Sequence, residues 1–352
     1  MGMRIGSMFP LQEVGEKPSS YFSNRGEDVQ YFLSGRCALY ACLLDCTKNN
    51  TPNIAYVPAY TCETVLASYV KAGYTLRFYD VDIEDLRPCF KTEDLQGVSA
   101  LNLCGYFGFS RYDSAFLREC KRRNITIIQD TTHSMFSKDG HYEGADYYAG
   151  SVRKWLGIAS GGVAVKRNGT FSIQPIPADE EHLKGRYKAM EFRKFAIKTD
   201  SDSYNEMASS VFWETEMRLR RMFDAFAGDQ KSKTILDHLD PTFLIEKRRT
   251  NYQTLLDALT PSSQCRPIFS NLDEHTCPSH FSFYAQDREQ AQQQLEKKGI
   301  RSTVYWPLPP MLADRERYGQ ASYIYDHVMS VQMDQRYSKE DMAYLGKELA
   351  KL

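Results

Sequence analysis

Short apolar runs alternate with amphipathic helical patterns through the first half of the chain. Runs of this length are typical of buried strands, and apolar residues three and four positions apart are typical of helices. The predicted strands are residues 53–58, 75–80, 98–103, 125–130, 146–151 and 162–166; helices are predicted after Ser34, from a cap at Thr61 to about Gly73, and over 110–124. Strands joined by crossover helices predict an α/β fold of three layers, with a mostly parallel sheet between helices.

The second half of the chain changes from helices to a mixture of helices and strands. Residues 178–259 are charged and helical, with helices expected at 204–226 and 241–259. Further on, strands are expected at 280–284, 300–306 and 329–333, and helices at 288–298 and after Ser338, which forms a capping-box-like pattern with Asp341. We predict a large domain over 16–245, a smaller C-terminal α/β domain over 246–352, and an N-terminal arm over 1–15.

The composition is that of an ordinary globular protein. Of the 352 residues, 25% are charged and 42% hydrophobic, and the formal net charge is −1. This balance favours neither nucleic acid nor an anionic membrane as a partner, and no apolar run approaches the roughly 20 residues of a membrane helix. The N-terminus lacks the apolar segment of a signal peptide, and the nine cysteines are scattered. We therefore expect reduced thiols and a cytoplasmic location.

A loosely metal-like spacing occurs once, late in the chain. His275, Cys277 and His280 are two and three residues apart, but a loop that leads into a strand is the favoured interpretation. We expect no metal site.

Two residues at the predicted sheet indicate chemistry on an amine. Asp130 ends one strand and Lys154 is expected on the next, at the side of a parallel sheet where ligands bind. Pyridoxal phosphate requires such a pair, because the lysine forms a Schiff base and the acid pairs with the protonated ring nitrogen. A single lysine is more often a surface residue, and an aspartate at a strand end is common in loops. The prediction therefore rests on their order and spacing.

Further residues fit the same cofactor. The Ser34-Gly35-Arg36-Cys37 turn starts a predicted helix, whose first amides would bind a phosphate, with Gly35 allowing close approach and Arg36 adding charge. The Ser151 hydroxyl is placed to donate as well, and His133 could bind the phenolic oxygen of the ring. A plain helix cap and a structural histidine are the alternatives. Arg153 and Lys154 should point to opposite faces of an extended segment, so only one would reach the cofactor.

Taken in order, these pieces resemble the DegT/StrS-type nucleotide-sugar aminotransferases, a family of pyridoxal-phosphate fold type I in the aspartate aminotransferase superfamily. The matching segments are 34–39, 57–61, 72–73, 78–82, 105–108, 129–133, 151–155, 160–162, 248–252 and 334–337. The ordered set is specific, whereas no single segment is.

The resemblance implies a role for each candidate residue. Lys154 would be the Schiff-base lysine, Asp130 would contact the pyridine nitrogen, and His133 would contact the phenolic oxygen. Residues 35–37 and Ser151 would bind the phosphate. The resemblance also implies a homodimer with its active site at the subunit interface.

The chain departs from the family pattern at three places. Cys62 stands where an aromatic residue often stacks on the cofactor ring, so stacking would be weaker or would come from Tyr60 or Tyr106. The Gly-x-Asn-x-Arg segment, whose asparagine reaches the partner's phosphate, has no clear match between 170 and 235. Gln332 replaces a usual proline. These departures leave the cofactor prediction intact and open the question of the substrate.

Three hypotheses follow. The leading one is an aminotransferase that uses pyridoxal phosphate, an amino-acid donor, plausibly glutamate, and a keto acceptor, perhaps a keto-sugar. The second is an enzyme of the same fold and cofactor that acts on a non-sugar ketone or an amino acid. The third is a non-catalytic binding protein that kept the fold. A nicotinamide-binding enzyme is disfavoured, because Gly161-Gly162 precedes a strand instead of following one.

Overall fold

The computed structural model describes residues 5–47, 53–262 and 264–352, so the first four residues of the predicted arm lie outside it. Within those ranges the chain forms two sheets. The larger sheet comprises β1 (Asp28–Phe32), β2 (Ile54–Pro58), β3 (Thr75–Val81), β4 (Pro88–Cys89), β5 (Val98–Cys104), β6 (Thr126–Asp130), β7 (Tyr147–Ser151) and β8 (Gly162–Lys166).

The larger sheet is mostly parallel, as predicted. Its strand order is β1-β8-β7-β6-β5-β2-β3-β4. The inner strands β7, β6, β5, β2 and β3 are parallel neighbours, and antiparallel pairs add β8 and β1 at one edge and β4 at the other. The carboxyl ends of β7, β6, β5 and β2 therefore meet along one side of the sheet.

Helices cover the sheet on both faces. The first three are α1 (Gly35–Cys46), α2 (Glu63–Lys71) and α3 (Ser114–Arg122). The adjacent β6 residues Ile127 and Ile128 belong to different buried apolar clusters, one shared with α3 and the other with α1 and α2. Because successive side chains of a strand point to opposite faces, this division identifies a three-layer arrangement, and the predicted fold class is confirmed.

The middle of the chain is helical, and the C-terminal part forms a second sheet. The helices are α4 (Glu180–Thr199), α5 (Asp202–Met222), α6 (Gln230–Asp237) and α7 (Thr242–Ala258). The later elements are β9 (Arg266–Pro267), β10 (Phe281–Tyr284), α8 (Arg288–Glu296), β11 (Ser302–Thr303), α9 (Gly319–His327), β12 (Val328–Val331) and α10 (Lys339–Leu349). The second sheet is antiparallel, in the order β11-β12-β10-β9. The domain boundary at 245/246 stays a prediction.

Several predicted elements were wrong in detail. The short strand β1 was not predicted, nor was α9. Thr61 does not cap α2: the N-cap is Cys62, and the Thr61 amide donates to the Tyr325 hydroxyl at 2.9 Å. The helix expected from residue 110 begins later, because the Asp113 carboxylate accepts from the amides of its first turn. Of the strand expected at 300–306, only β11 joins the sheet, while Ile300 forms an isolated bridge with Ile5.

The capping box at the last helix is confirmed. Ser338 Oγ accepts from the Asp341 amide at 3.2 Å, and the Asp341 carboxylate accepts from the Ser338 amide at 2.8 Å. The helix that follows buries Met342, Leu345 and Leu349. In the described ranges, no helix has both the length and the apolar character needed to cross a membrane.

Candidate functional site

The predicted site residues lie at the carboxyl ends of four neighbouring strands. Asp130 ends β6, Ser151 ends β7, Tyr60 follows β2 and Tyr106 follows β5. The N-terminus of α1 joins them, since Phe32 and Ser151 both pair with Gly162 in the sheet register. Residues far apart in sequence are thus brought to one side of the sheet.

Lys154 lies on a single 3₁₀ turn, Val152–Lys154, which follows β7 directly. It was expected on a strand, so that part of the prediction was wrong. Its side chain is exposed, and Nζ is 5.4 Å from the centroid of the Tyr305 ring. The preceding residue, Arg153, donates to Glu216 on α5 at 3.1 Å. The two neighbours therefore contact different parts of the molecule.

The start of α1 is packed closely against the end of β7. A Cβ atom added at Gly35 would lie 2.9 Å from Ser151 Cβ and 3.1 Å from the Ser151 amide nitrogen. Ser151 is 7% exposed, and its Oγ is buried without a hydrogen-bond partner in the described part of the chain. The first amides of a helix have no partner within it. A buried hydroxyl and helix amides therefore lie beside each other, which suits an anion.

Cys37 and Arg36 differ in what they could offer such an anion. The Cys37 amide donates to Ser34 Oγ at 3.3 Å, which is an ordinary helix cap. Arg36 donates through Nη1 to the Leu219 carbonyl at 2.8 Å, while its Nε is buried without a partner among the described residues. The cap and the anion-binding interpretation of this turn are therefore compatible.

Asp130 and His133 are held in a buried environment near Lys154. Asp130 accepts from the Thr132 amide at 2.8 Å, and burial raises the pKa of its carboxyl, with that bond and the Lys154 charge acting against the rise. Burial lowers the pKa of His133 to about 3, and the Lys154 charge lowers it further. His133 is therefore a neutral imidazole at neutral pH. A cation placed beside Asp130 would stabilise the charged form of the Asp130 carboxylate.

Aromatic rings surround His133, and the sequence did not indicate them. Phe107 and Trp306 stack on the imidazole with ring centroids 5.4 Å away in each case, and Tyr305 meets it edge-on at 5.2 Å. The Tyr305 hydroxyl is 3.1 Å from His280 Nε2. The local signal was the predicted strand at 300–306, which ends in two aromatic residues before Pro307. The rings around His133 are contributed by three segments that are distant from one another in the sequence.

Tyr60 and Tyr106 are buried and stack on each other, with ring centroids 5.4 Å apart. The Tyr106 hydroxyl donates to the Tyr60 carbonyl at 2.5 Å, and the Tyr60 hydroxyl donates to the Tyr305 carbonyl. Trp306 packs against Tyr60 at 5.2 Å. The two tyrosines thus support the aromatic wall beside His133.

The histidine-cysteine spacing near residue 277 forms no cluster. His275 is exposed, whereas Cys277 and His280 are buried, and His280 contacts Tyr305 and Ser279. Among the described residues there is no group of three or more His, Cys, Asp or Glu side chains that could hold a metal ion.

Comparisons with known proteins support the fold. No family model and no curated protein matches the sequence. Solved structures do match. PseC of Helicobacter pylori, an aminotransferase involved in the biosynthesis of pseudoaminic acid, has a TM-score of 0.69 at 14% identity and covers 99% of both chains. The chain has the fold of an aminotransferase.

Two further structures agree. Spr1654 of Streptococcus pneumoniae, assigned as a sugar aminotransferase and solved in its PMP form, has a TM-score of 0.68 at 16% identity, covering 99% of this chain and 97% of that one. A DegT DnrJ EryC1 StrS aminotransferase of Brucella abortus has a TM-score of 0.60 at 15% identity, covering 96% and 91%. At these identities the likeness establishes the fold, as the family resemblance implied.

Proposed function

We propose that the chain is a pyridoxal-phosphate-dependent aminotransferase, which moves an amino group from an amino-acid donor, glutamate, to a keto-sugar acceptor. One observation carries the proposal. The amine of Lys154 lies beside Asp130 and His133, and the unpaired hydroxyl of Ser151 lies beside the start of α1. A lysine, a ring-nitrogen partner and a phosphate site are the three things that this cofactor requires.

The residues present fit the cofactor. A protonated pyridine nitrogen would provide the cation that the buried Asp130 carboxylate needs. The amides at Gly35 and Arg36, together with Ser151 Oγ, would hold the phosphate, and His133 would hydrogen-bond the phenolic oxygen. Lys154 would attach the cofactor covalently.

The bound cofactor supplies an aldehyde that reacts with amines and a ring that withdraws electrons from the carbon next to the nitrogen. The rest of the work belongs to the chain. Once the donor's amine has displaced it, the free amine of Lys154 would take the proton from the donor's carbon as general base and deliver it to the cofactor as general acid. Asp130 orients the ring, and Tyr305 and Trp306 exclude water from the side of His133.

The substrate, assembly and location belong to the same proposal. Sugar aminotransferases among the solved structures of this fold support a keto-sugar acceptor. The second candidate, a non-sugar ketone or amino acid, is favoured by one observation: the region 170–235, where the family pattern fades, contains the helices α4 and α5. We further propose a homodimer with the active site at its interface, in keeping with the exposed side chain of Lys154, and a cytoplasmic location, in keeping with nine free cysteines.

The assignment of Lys154 can be tested by chemical trapping. Protein incubated with pyridoxal phosphate should show an absorbance band near that of a protein-bound imine, and borohydride reduction followed by peptide mapping should place the pyridoxyl group on Lys154. Lys154→Arg serves as the matched control and should carry no label. A label on another lysine, or none on wild type, would disprove the assignment. A colourless protein that does not respond to amino acids would favour the non-catalytic hypothesis.

The acceptor can be tested separately. Glutamate should convert the bound cofactor in a half-reaction, and a panel of nucleotide-linked keto-sugars should restore the original spectrum. A half-reaction with glutamate, without turnover of any keto-sugar, would support the non-sugar candidate.

A further inference from the structure

A cluster of arginines lies next to the start of α1, and the sequence analysis assigned only Arg36 among them to the phosphate. Arg153 Nη1 is 3.1 Å from Glu216 Oε1, and the Arg186 guanidinium binds the same carboxylate oxygen. Arg186 is 2% exposed and lies on α4, whereas Glu216 lies on α5. Arg36 is the second residue of α1. Three helices and the 3₁₀ turn that carries Arg153 therefore converge on the phosphate side of the candidate site.

The charges of this cluster do not balance. Within the described ranges, Glu216 is the one carboxylate that pairs with Arg153 or Arg186, and Arg36 bonds a carbonyl rather than an acid. The nearby His182 carries no charge, because burial lowers its pKa to about 3. Burial also lowers the pKa of Arg153, to about 10, so it remains charged at neutral pH. Arg220 also repels Arg36, whose pKa is lowered by burial and by this charge, so positive charge outweighs the single Glu216 carboxylate here.

Unpaired donors mark where a counter-ion would lie. The Nε atoms of Arg36 and Arg153 and the Oγ of Ser151 are buried, and none has a partner in the part of the chain described. These three residues lie close together. Arg36 follows Gly35, which packs against Ser151, and Arg153 is two residues after Ser151. Buried donors are nearly always satisfied in folded proteins, so donors left open together indicate a missing acceptor.

We propose that Arg153, held in place by Glu216 and Arg186, binds the cofactor's phosphate from within the same chain. The inference rests on the proposed function and adds a residue to it. A phosphate anion would offset this excess of positive charge, and a guanidinium suits its oxygens. The α4–α5 pair thereby acts on the site through Arg153, since Arg186 and Glu216 position the guanidinium without touching the phosphate.

The geometry distinguishes this role from binding a substrate carboxylate. The donor amino acid must react next to Lys154 Nζ, which lies over the Tyr305 ring. Arg153 extends instead towards α5 and the start of α1. The cofactor's phosphate, and not the donor's carboxylate, is therefore the anion next to the start of α1.

The test compares pyridoxal phosphate with pyridoxal, which lacks the phosphate. Dissociation constants are measured by absorbance titration of wild type and Arg153→Gln. The variant should bind pyridoxal phosphate roughly ten- to a hundred-fold more weakly, as expected for one lost charge-assisted hydrogen bond, and pyridoxal as well as wild type does. Arg153→Lys should recover part of the loss. Arg221→Gln, which removes an exposed arginine at the end of α5, is the matched control and should change neither constant.

Two results would overturn the inference: unchanged affinity of Arg153→Gln for pyridoxal phosphate, or an equal loss for both ligands. If Arg153→Gln does not fold, as judged by circular dichroism, the same comparison is made with Arg153→Lys and Glu216→Gln, which should each lose affinity for pyridoxal phosphate alone.

Failure of the proposed function would look different, because wild type would then bind neither ligand. Inorganic phosphate addresses the anion site independently. It should raise the thermal midpoint of wild type more than that of Arg153→Gln, and equal shifts in both proteins would refute the role of Arg153.

Discussion

Gly35 shows how a single missing side chain shapes the candidate site. A Cβ atom there would come within 2.9 Å of Ser151 Cβ, 3.1 Å of the Ser151 nitrogen and 3.2 Å of the Gly150 carbonyl carbon. Two of these neighbours are backbone atoms, which cannot rotate away. The absence of a side chain lets the helix amides and the Ser151 hydroxyl lie together.

Gly35→Ala should therefore separate α1 from β7. We expect it to destabilise the fold by about 1–3 kcal/mol, as overpacking does, and to weaken the binding of pyridoxal phosphate. Urea unfolding and absorbance titration would measure the two effects. Gly319→Ala is the matched control, because no atom lies within 4 Å of the added methyl group, and its stability should stay equal or rise slightly. Equal behaviour of the two variants would contradict the role given to Gly35.

Asp130 offers a second test at the scale of one residue. In Asp130→Asn the side-chain oxygen can still accept from the Thr132 amide, but the charge that would stabilise a protonated ring nitrogen is lost. We expect the half-reaction with glutamate to slow by on the order of a hundred-fold, the loss of one strong ionic hydrogen bond. Stopped-flow absorbance would measure it. A rate within a factor of about three of wild type would rule out contact between Asp130 and the ring nitrogen.

At the scale of elements, local signals worked where they were complete within a few residues. The capping box at Ser338 is contained within four positions and was predicted correctly. The start of α3 was placed too early, because the chain becomes helical only after the Asp113 cap. β1 was missed because its five residues, 28–32, gain their partners from β8 and Ala227, more than a hundred residues later. Edge strands that pair over such distances carry little local pattern.

The cap at α10 should contribute measurably to stability. Ser338→Ala removes the acceptor for the Asp341 amide, and we expect a loss of about 1 kcal/mol in the free energy of unfolding. Ser201 caps α5 through a longer contact, 3.5 Å, so Ser201→Ala should cost less. Urea denaturation of both variants would compare them, and a larger loss for Ser201→Ala would contradict the ranking.

At the scale of the whole molecule, buried histidines make the fold sensitive to acid. Burial lowers the pKa of His133 and His182 to about 3 and holds that of His280 well below its usual value. In the unfolded chain the three imidazoles take up a proton near pH 6.5, whereas in the folded chain they stay neutral to lower pH. Stability therefore falls as the pH drops from about 6.5 towards 3.

Thermal unfolding of the cofactor-free protein should show this dependence. Each of His133 and His182 would lower stability at pH 5 by up to about 2 kcal/mol relative to neutral pH. His280→Gln, which can still meet the Tyr305 hydroxyl, should reduce the drop in midpoint between pH 7 and pH 5, whereas the exposed control His275→Asn should leave it unchanged. A midpoint that does not move between these two pH values would contradict the burial of these histidines as neutral rings.

The sequence by itself determined the fold class and the side of the sheet that carries the candidate site. Alternation of apolar runs and helices is local, and chemistry at strand ends follows from the parallel sheet, so Asp130, Ser151 and Lys154 could be named in advance. The contact of Gly35 with Ser151, the aromatic wall of Tyr305 and Trp306, and the support of Arg153 by Glu216 and Arg186 were decided by tertiary structure alone. Each joins segments tens to hundreds of residues apart, and packing between such segments leaves no periodic signal in either one.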